Sequence, residues 1–544
     1  MKVYLEQPDW AAFFYTKFKF ITKFKGEKMN KKILKTLGLI LMILVLVGFG
    51  KTITSEKKTD NDTTLKETLV IAQKSDAKTL DPQKSIDTVS NKVMQMMFDT
   101  LTIMDENLNI QPGLAEKWER INDYSMIFHL RKGVKFHNGD ILTSEDVKYS
   151  LDRAIASPQA SYLFNPIKEV SILDENTIKV TTKEPFGPLL KHLATTNGSI
   201  INKRAAIEAG EDVFKNPVGT GQHKFKEWIT GDRIVLESFP ENWKGESKIK
   251  NIIFRNIPEV SNRMISLETG EIDVAFDIGI MDREAVMNHK KLELVEVEAP
   301  SSLYLAFDQT NPLFADIRVR QAIAYAVNNR VLADAVFRGA AVPANSTLPT
   351  VVGGYNPDSN IYEVNIEKAK ELLKEAGYPN GFNIKLWVND ESTRVDMCVI
   401  IQDQLKAVGI NVEIEVFEWG TYLSKTLEHN KQLYLFSWNV SSGDADAALY
   451  PMFHSSQRNG SANRSNYISK EADELLDKAR NSVNEDERNL LYRQVQNILQ
   501  RDLPHYTLVF PKLNLGMNKN VKGLIMKKTG YIDISNAYVL REKK

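Results

Sequence analysis

The alternation of polar and apolar positions changes character at Met29. Lys31, Lys32 and Lys35 make a basic start, and an apolar run follows from Leu37 to Val47. That order is the one a secretory signal presents, and the run is too short to span a bilayer comfortably. Residues 1–28 carry no comparable pattern and read as an upstream extension, with Met29 the expected start. Residues 29–50 read as a signal peptide or anchor. Residues 51–66, KTITSEKKTDNDTTLK, are polar without apolar periodicity, as in a flexible tether, so folded structure is expected to begin near Glu67.

Beyond the tether, Thr68 to Ala72 is a short apolar strand, and Leu80, Asp81 and Pro82 force a turn. The stretch SMIFHLRKGVKF over 125–136, with Gly133 in its middle, predicts a hairpin. Thr143 and Asp146 form a capping pair ahead of Val147, Leu151 and Ala154, which share one helical face. Asp316 caps a helix through Val319, Ala322, Ile323, Ala326 and Val327, and Asn365 opens another that Gly377 and Pro379 close. A strand at 382–388, a helix from about Arg394 to Ala407 stopped by Gly409, and an alternating strand at 410–417 imply a parallel pair with a right-handed crossover. The expected fold class is α/β.

At 544 residues the chain exceeds what one core fills, so at least two lobes are expected, with a ligand cleft between them. The 70 basic and 70 acidic residues leave no net field, and no basic stripe is interleaved with aromatics, which argues against nucleic acid as a partner. Cys398 is the only cysteine and sits on an apolar helix, where a buried structural thiol is expected. The histidines are scattered, none in an HExxH or close helical pair, so neither a metal site nor a cofactor is expected. The PVGTG loop at Pro217 to Gly221 lacks the Lys and Ser or Thr of a phosphate cradle, and its glycines suggest a tight turn. With no Walker loop, any ATP used with this protein is hydrolysed elsewhere. Nothing points to an enzyme.

Several stretches resemble the family-5 solute-binding proteins of ABC importers, the group of oligopeptide, dipeptide, nickel and glutathione receptors. They are LDPQKSIDTVSNKVMQMMFDTL from Leu80, PGLAEKWERINDYSMIFHLRKGVKFHNGDILTSEDVKYSLDR from Pro112, NPVGTGQHKF from Asn216, DIRVRQAIAYAVN from Asp316 and GDADAALYPMFHS from Gly443. The resemblance implies a two-lobed periplasmic-binding-protein-like fold with an inserted third domain and a hinge cleft. Domain I is placed at 67–85, 200–303 and 505–544, domain II at 86–199 and domain III at 304–504. It implies a monomeric receptor that hands its solute to a permease with ATPase subunits. The signal resembles that of a bacterial lipoprotein except that Phe49 stands where the lipidated cysteine belongs, which rules out the usual thioether. An exported protein is expected, in the periplasm or on the outer face of the cytoplasmic membrane, released or tethered through residues 33–48.

A receptor for varied peptides must recognise a terminal ammonium and a terminal carboxylate, which calls for an acidic partner and an Arg fork. In dipeptide and oligopeptide receptors the ammonium partner is an Asp shortly after a Trp; here the Trp is Trp438, and the acidic position falls on Ser441. Asp444 and Asp446 follow, as substitute clamp or as braces of a loop. The GDAD segment with LYPMFHS resembles the glutathione-receptor branch. Arg394, at a loop-to-helix junction, suits the carboxylate or is a solvated first-turn residue. Trp419, Trp438 and Tyr304 are candidates for cleft walls or for core. Lys84 and Asp87 are expected to be solvated. The alternatives are a nickel-chelate or haem receptor on the same fold, or a surface adhesin-like protein.

Overall fold

A computed structural model describes residues 65–359, 362–440, 442–458 and 462–541. The strand Thr68–Gln73 forms where the apolar pattern predicts it. Leu69 and Ile71 enter one core while Val70 and Ala72 face another, as the two-residue period of a strand dictates. It lies between the parallel strands Asn251–Asn256 and Val274–Phe276. Arg233–Ser238 and His223–Ile229 extend the sheet on one side and His505–Asn518 on the other.

His505–Asn518 is long enough to serve two parts of the sheet in succession. Residues 512–518 pair with Leu292–Glu298 and residues 505–509 with Ser301–Phe307. From Ser301–Phe307 the sheet continues through Leu433–Asn439 and Phe382–Asn389 to Ile410–Phe417. The chain thus passes between two lobes at residues 299–300 and again near 510–511, side by side, and two adjacent strands make the hinge. In each lobe the sheet is covered on both faces: by Leu69, Ile252 and Leu515 against Ala72, Leu267 and Leu292 in the first lobe, and by Leu305, Ile323 and Ile401 against Tyr434, Leu449 and Val495 in the second.

A third core, running from Leu101 to Ile200, belongs to an inserted module built on the antiparallel sheet Ala115–Asn122, Ser125–Leu130, Thr177–Thr182 and Ile167–Asp174. The helix Ser144–Ala156 covers it with Val147, Leu151 and Ala154, and Asp146 Oδ2 accepts the Thr143 N–H at 3.0 Å, the expected capping pair. Asp316 and Asn365 cap their helices as expected, accepting from the Arg318 and Lys368 N–H groups at 2.9 Å. The strands Phe382–Asn389 and Ile410–Phe417 pair in parallel on either side of the helix Ser392–Lys406.

Other expectations change. The hairpin predicted over 125–136 instead joins Ala115–Asn122 to Ser125–Leu130, and Gly133 serves a separate turn. Residues 88–98, expected in the second domain, pack with Leu69: Val93, Met94 and Met97 lie in the first lobe's core, which moves the boundary of the inserted module toward Leu101. Order begins before Glu67, because Leu65 and Lys66 pair with Leu540 and Val539 and the Lys66 ammonium meets Asp273 at 2.7 Å. Gly219 and Gly221 do not take positive φ. They let the backbone approach residues 96–97, where a Cβ would collide with the Met97 and Met96 carbonyls. The extension, the signal, nearly all of the tether and Ser441 lie outside the described residues.

Candidate functional site

The strands Phe382–Asn389, Ile410–Phe417 and Leu433–Asn439 run parallel and end on one edge of the second lobe. Open α/β sheets hold ligands in the crevice outside such carboxyl ends. Arg394 lies in the first turn of the helix Ser392–Lys406, Trp419 opens the helix Trp419–Lys425, and Trp438 is the penultimate residue of the third strand. The topology therefore brings three of the expected site residues to one edge.

Arg394 donates to Asn389 Oδ1 at 3.0 Å and to Ser437 Oγ at 2.8 Å, while Nε lies 2.9 Å from the exposed carboxylate of Glu391. Two of its partners are neutral, and among the described residues its carboxylate partner is the exposed Glu391. Trp419 is 43% exposed and stacks on Phe436 at 6.2 Å, and the Arg394 guanidinium lies 5.8 Å from the Trp419 ring. This is an aromatic and cationic corner open to solvent.

Of the other expected site residues, Ser441 lies outside the described residues, and Trp438, Tyr304, Asp444 and Asp446 each make contacts within the protein. Trp438 donates its indole N–H to the Ala447 carbonyl at 2.9 Å, bracing the following segment. Tyr304 is core: it stacks on His505 at 4.2 Å, and burial pushes its phenol well above the ordinary value. Asp444 is buried and accepts from Arg488 at 2.6 Å, with Lys191 at 3.7 Å, while its Oδ1 also takes the Asp446 N–H at 2.9 Å. Burial works against its charge, but Arg488 and then Lys191 outweigh burial and hold the carboxyl well below the usual range. It is a brace already paired with cations, unsuited to clamping a ligand amine. Asp446 is also buried, and desolvation pushes it up to about 6 although Arg480 lies 3.5 Å away.

Lys191 belongs to the inserted module, so its contact with Asp444 bridges that module to the second lobe. Gly443 takes φ +62° beside this contact, and a Cβ there would come within 2.9 Å of Leu108. Only glycine permits so close an approach.

Between the lobes lies a cavity of about 220 Å³. Ile86, Asp87, Asn91 and Tyr162 line it on one side, and Pro300 and Asn439 on the other. Ile86 is 77% exposed and Tyr162 57%, large apolar surface for a soluble protein to leave open. Among the described lining residues Asp87 is the only charged side chain. It caps the short helix Thr88–Met94, accepting from the Ser90 N–H and hydroxyl, both at 2.9 Å. Asp87, expected to be solvated, is half-buried and lines the cleft. Its signal was legible as an N-cap, Asp-Thr-Val-Ser; its neighbourhood was not, because Asn439 lies hundreds of residues away. Lys84 is exposed, as expected.

Cys398 is fully buried, and burial pushes its thiol up, as expected of a structural cysteine. Among the described residues no three His, Cys, Asp or Glu side chains gather as metal ligands, and no helix is long and apolar enough to cross a membrane.

Two lobes on a two-strand hinge, with a small polar and aromatic cleft between them, define the class of two-lobed solute-binding proteins. The sequence profile "Bacterial extracellular solute-binding proteins, family 5 Middle" matches residues 109–460. The chain is 31% identical over 477 residues to the glutathione-binding protein GsiB of Salmonella choleraesuis (strain SC-B67), covering 85% of this chain and 93% of that one. It superposes with a TM-score of 0.76 on the ABC transporter-associated periplasmic binding protein DppA of Helicobacter pylori in complex with the peptide STSA, at 29% identity over 88% and 99% of the two chains. A Staphylococcus aureus NikA in complex with Ni(L-His)2 superposes with a TM-score of 0.72 at 21% identity, over 87% and 100%, which shows the fold alone. The chain belongs to the family-5 extracellular solute-binding proteins of ABC importers.

Proposed function

We propose that this protein captures short peptides, glutathione among them, outside the cytoplasmic membrane and delivers them to a permease driven by separate ATPase subunits, without chemical turnover. The observation that carries the reading is Asp87, the only charge among the described residues lining the interlobe cavity. A carboxylate there suits the one cation every free peptide carries, and it takes over the role that Asp444, already paired with Arg488, cannot fill. Arg394 is the partner proposed for the terminal carboxylate: it sits at the same edge, bonded to Ser437 on the strand that carries the lining Asn439. The similarity to a glutathione-binding protein and to a peptide-bound receptor supports this ligand class.

Asp87→Asn separates charge from structure, because Asn is as good an N-cap as Asp. The variant is expected to melt like the wild type and to bind a free-amine tripeptide about 10–100-fold more weakly, the loss typical of a hydrogen bond to a charged group. Calorimetry with the tripeptide and its N-acetyl form checks this; equal affinity of both proteins for the free amine would refute the role of Asp87. Arg394→Met is expected to lower affinity for a free-acid peptide by a similar factor and to leave a C-terminal amide unaffected. Equal effects on acid and amide would remove Arg394 from the site.

A further inference from the structure

A second cavity, of about 270 Å³, lies between the first lobe and the inserted module. It shares Met104, Thr196, Thr529 and Tyr531 with the cleft as a common wall. With the cleft, it brings the space available into the range of small-molecule sites, roughly 300–1,000 Å³.

Its ionisable groups divide unevenly. Asp99 is satisfied by Lys244 at 2.6 Å, Trp243 at 2.9 Å and Thr220 at 3.0 Å. Asp533 accepts from the N–H and hydroxyl of Ser535 at 2.9 and 2.7 Å. His223 gives one ring nitrogen to the Ile249 carbonyl, and burial lowers its pKa to about 4, so it is neutral. Lys527 differs. Its ammonium meets the Met104 carbonyl at 3.0 Å, and among the described residues no carboxylate comes within 4.0 Å of it. Beside it, Gln95 Nε2 and Thr529 Oγ1 are buried and make no hydrogen bond among the described residues. The spare donors, Lys527, Gln95 Nε2 and Thr529 Oγ1, outnumber the spare acceptor, the buried His223 Nδ1, and although Asp533 acts on Lys527 from a distance it makes no ion pair with it, so the donor side of the chamber suits an anion.

Resting on the cleft as the ligand site, we propose that this chamber receives a carboxylate-bearing side arm of the solute, with Lys527 as its counter-ion and Gln95 and Thr529 as further donors. Met104, an unbranched thioether in the common wall, is the side chain suited to yield as the arm enters. Burial lowers the pKa of Lys527, a cost to its charge that an incoming anion relieves. The solute class is thus narrowed to peptides with an acidic side arm.

The test uses Lys527→Met, which keeps the apolar stem and removes the charge, in the full chain. Tripeptides carrying Glu or its neutral isostere Gln at each position in turn are titrated into both proteins. The wild type is expected to prefer Glu at one position by tenfold or more, and the variant to lose that preference while binding the Gln peptide unchanged. Gln-peptide binding with no Glu preference at any position, or a preference that survives in the variant, overturns the chamber proposal and leaves the cleft reading intact. Inorganic phosphate alone raising the melting temperature of the wild type but not of the variant, without Glu preference, assigns the lysine to free anions and overturns the side-arm role. Failure of every peptide to bind the wild type overturns both readings.

Discussion

Asp444→Asn melts well below the wild type with no ligand present, a loss of about 3–5 kcal/mol, the usual consequence of removing one partner of a buried ion pair. Both Asp444 and Arg488 are buried, at 2.6 Å, and Lys191 from the inserted module adds a second cation. The neutral amide strands the Arg488 guanidinium, left with the Ala479 carbonyl at 3.2 Å and the Tyr492 side chain, neither of them a carboxylate. It also loosens the contact between the inserted module and the second lobe. Conversion of Arg488 to Met together with Asp444→Leu is expected to recover much of the loss, because apolar pairs commonly replace buried ion pairs at little cost. Chemical denaturation of the ligand-free proteins checks this. A variant with wild-type stability but lost peptide affinity would return Asp444 to the amine-clamp role.

Acidification is expected to destabilise the protein steeply between about pH 6.5 and 4. His192 and His223 are buried, and desolvation lowers both to about 4; His505 falls further, to about 3, with Lys431 adding to the effect of burial. Their ordinary value is 6.5, so in this window the unfolded chain binds more protons than the folded one, and stability falls as pH falls. The contribution is complete above 6.5 and gone below the folded values. Each histidine is worth roughly 3 kcal/mol across the window. Asp446 acts in the opposite sense: raised to about 6, it favours the fold in its protonated form, a contribution present below about 4 that is lost as pH rises through 6. His137, which burial also lowers to about 4, acts with the other histidines, so their combined loss outweighs the opposing gain from Asp446.

His505→Phe isolates one part of this. Both ring nitrogens of His505 make no hydrogen bond among the described residues, and the ring packs between Tyr304 and Phe453. An apolar ring there should be tolerated at pH 7 and should flatten the dependence on pH. Melting temperatures of wild type and variant at pH 7.5 and 4.5 decide it; a wild-type value unchanged between the two would contradict the buried neutral histidines.

Local signals in the sequence carried much of the fold. The caps at Asp316, Asn365 and Thr143 and the parallel pair 382–389 with 410–417 were legible because each depends on neighbours within a few residues or on one strand–helix–strand unit. The hairpin near 125 was misplaced because a run of alternation does not say which strand pairs with which: Ser125–Leu130 lies between Ala115–Asn122 and Thr177–Thr182. The site divided in the same way. The placement of Arg394 and Trp419 at the sheet edge was legible because both follow directly on strand ends, where position in the chain is position at the edge. Tyr304 and Trp438 fall on strands adjoining that edge, yet their side chains turn into the core and onto the Ala447 carbonyl, an orientation set by packing. The sequence left Asp444 open between clamp and loop brace because Arg488 and Lys191, its partners, are remote in sequence. Asp87 was read as solvated and Lys527 was not singled out, because cavities made by distant segments leave no periodicity.

On this reading the cleft binds free peptides and releases them unchanged. Calorimetric titration of the full chain with glutathione and with tri- to pentapeptides, followed by recovery of the ligand, tests it most directly. Saturable one-to-one binding is expected, micromolar or tighter, equivalent to about 8 kcal/mol or more, with the recovered ligand intact. Heat from none of these ligands, or recovery of cleaved peptide, would contradict it.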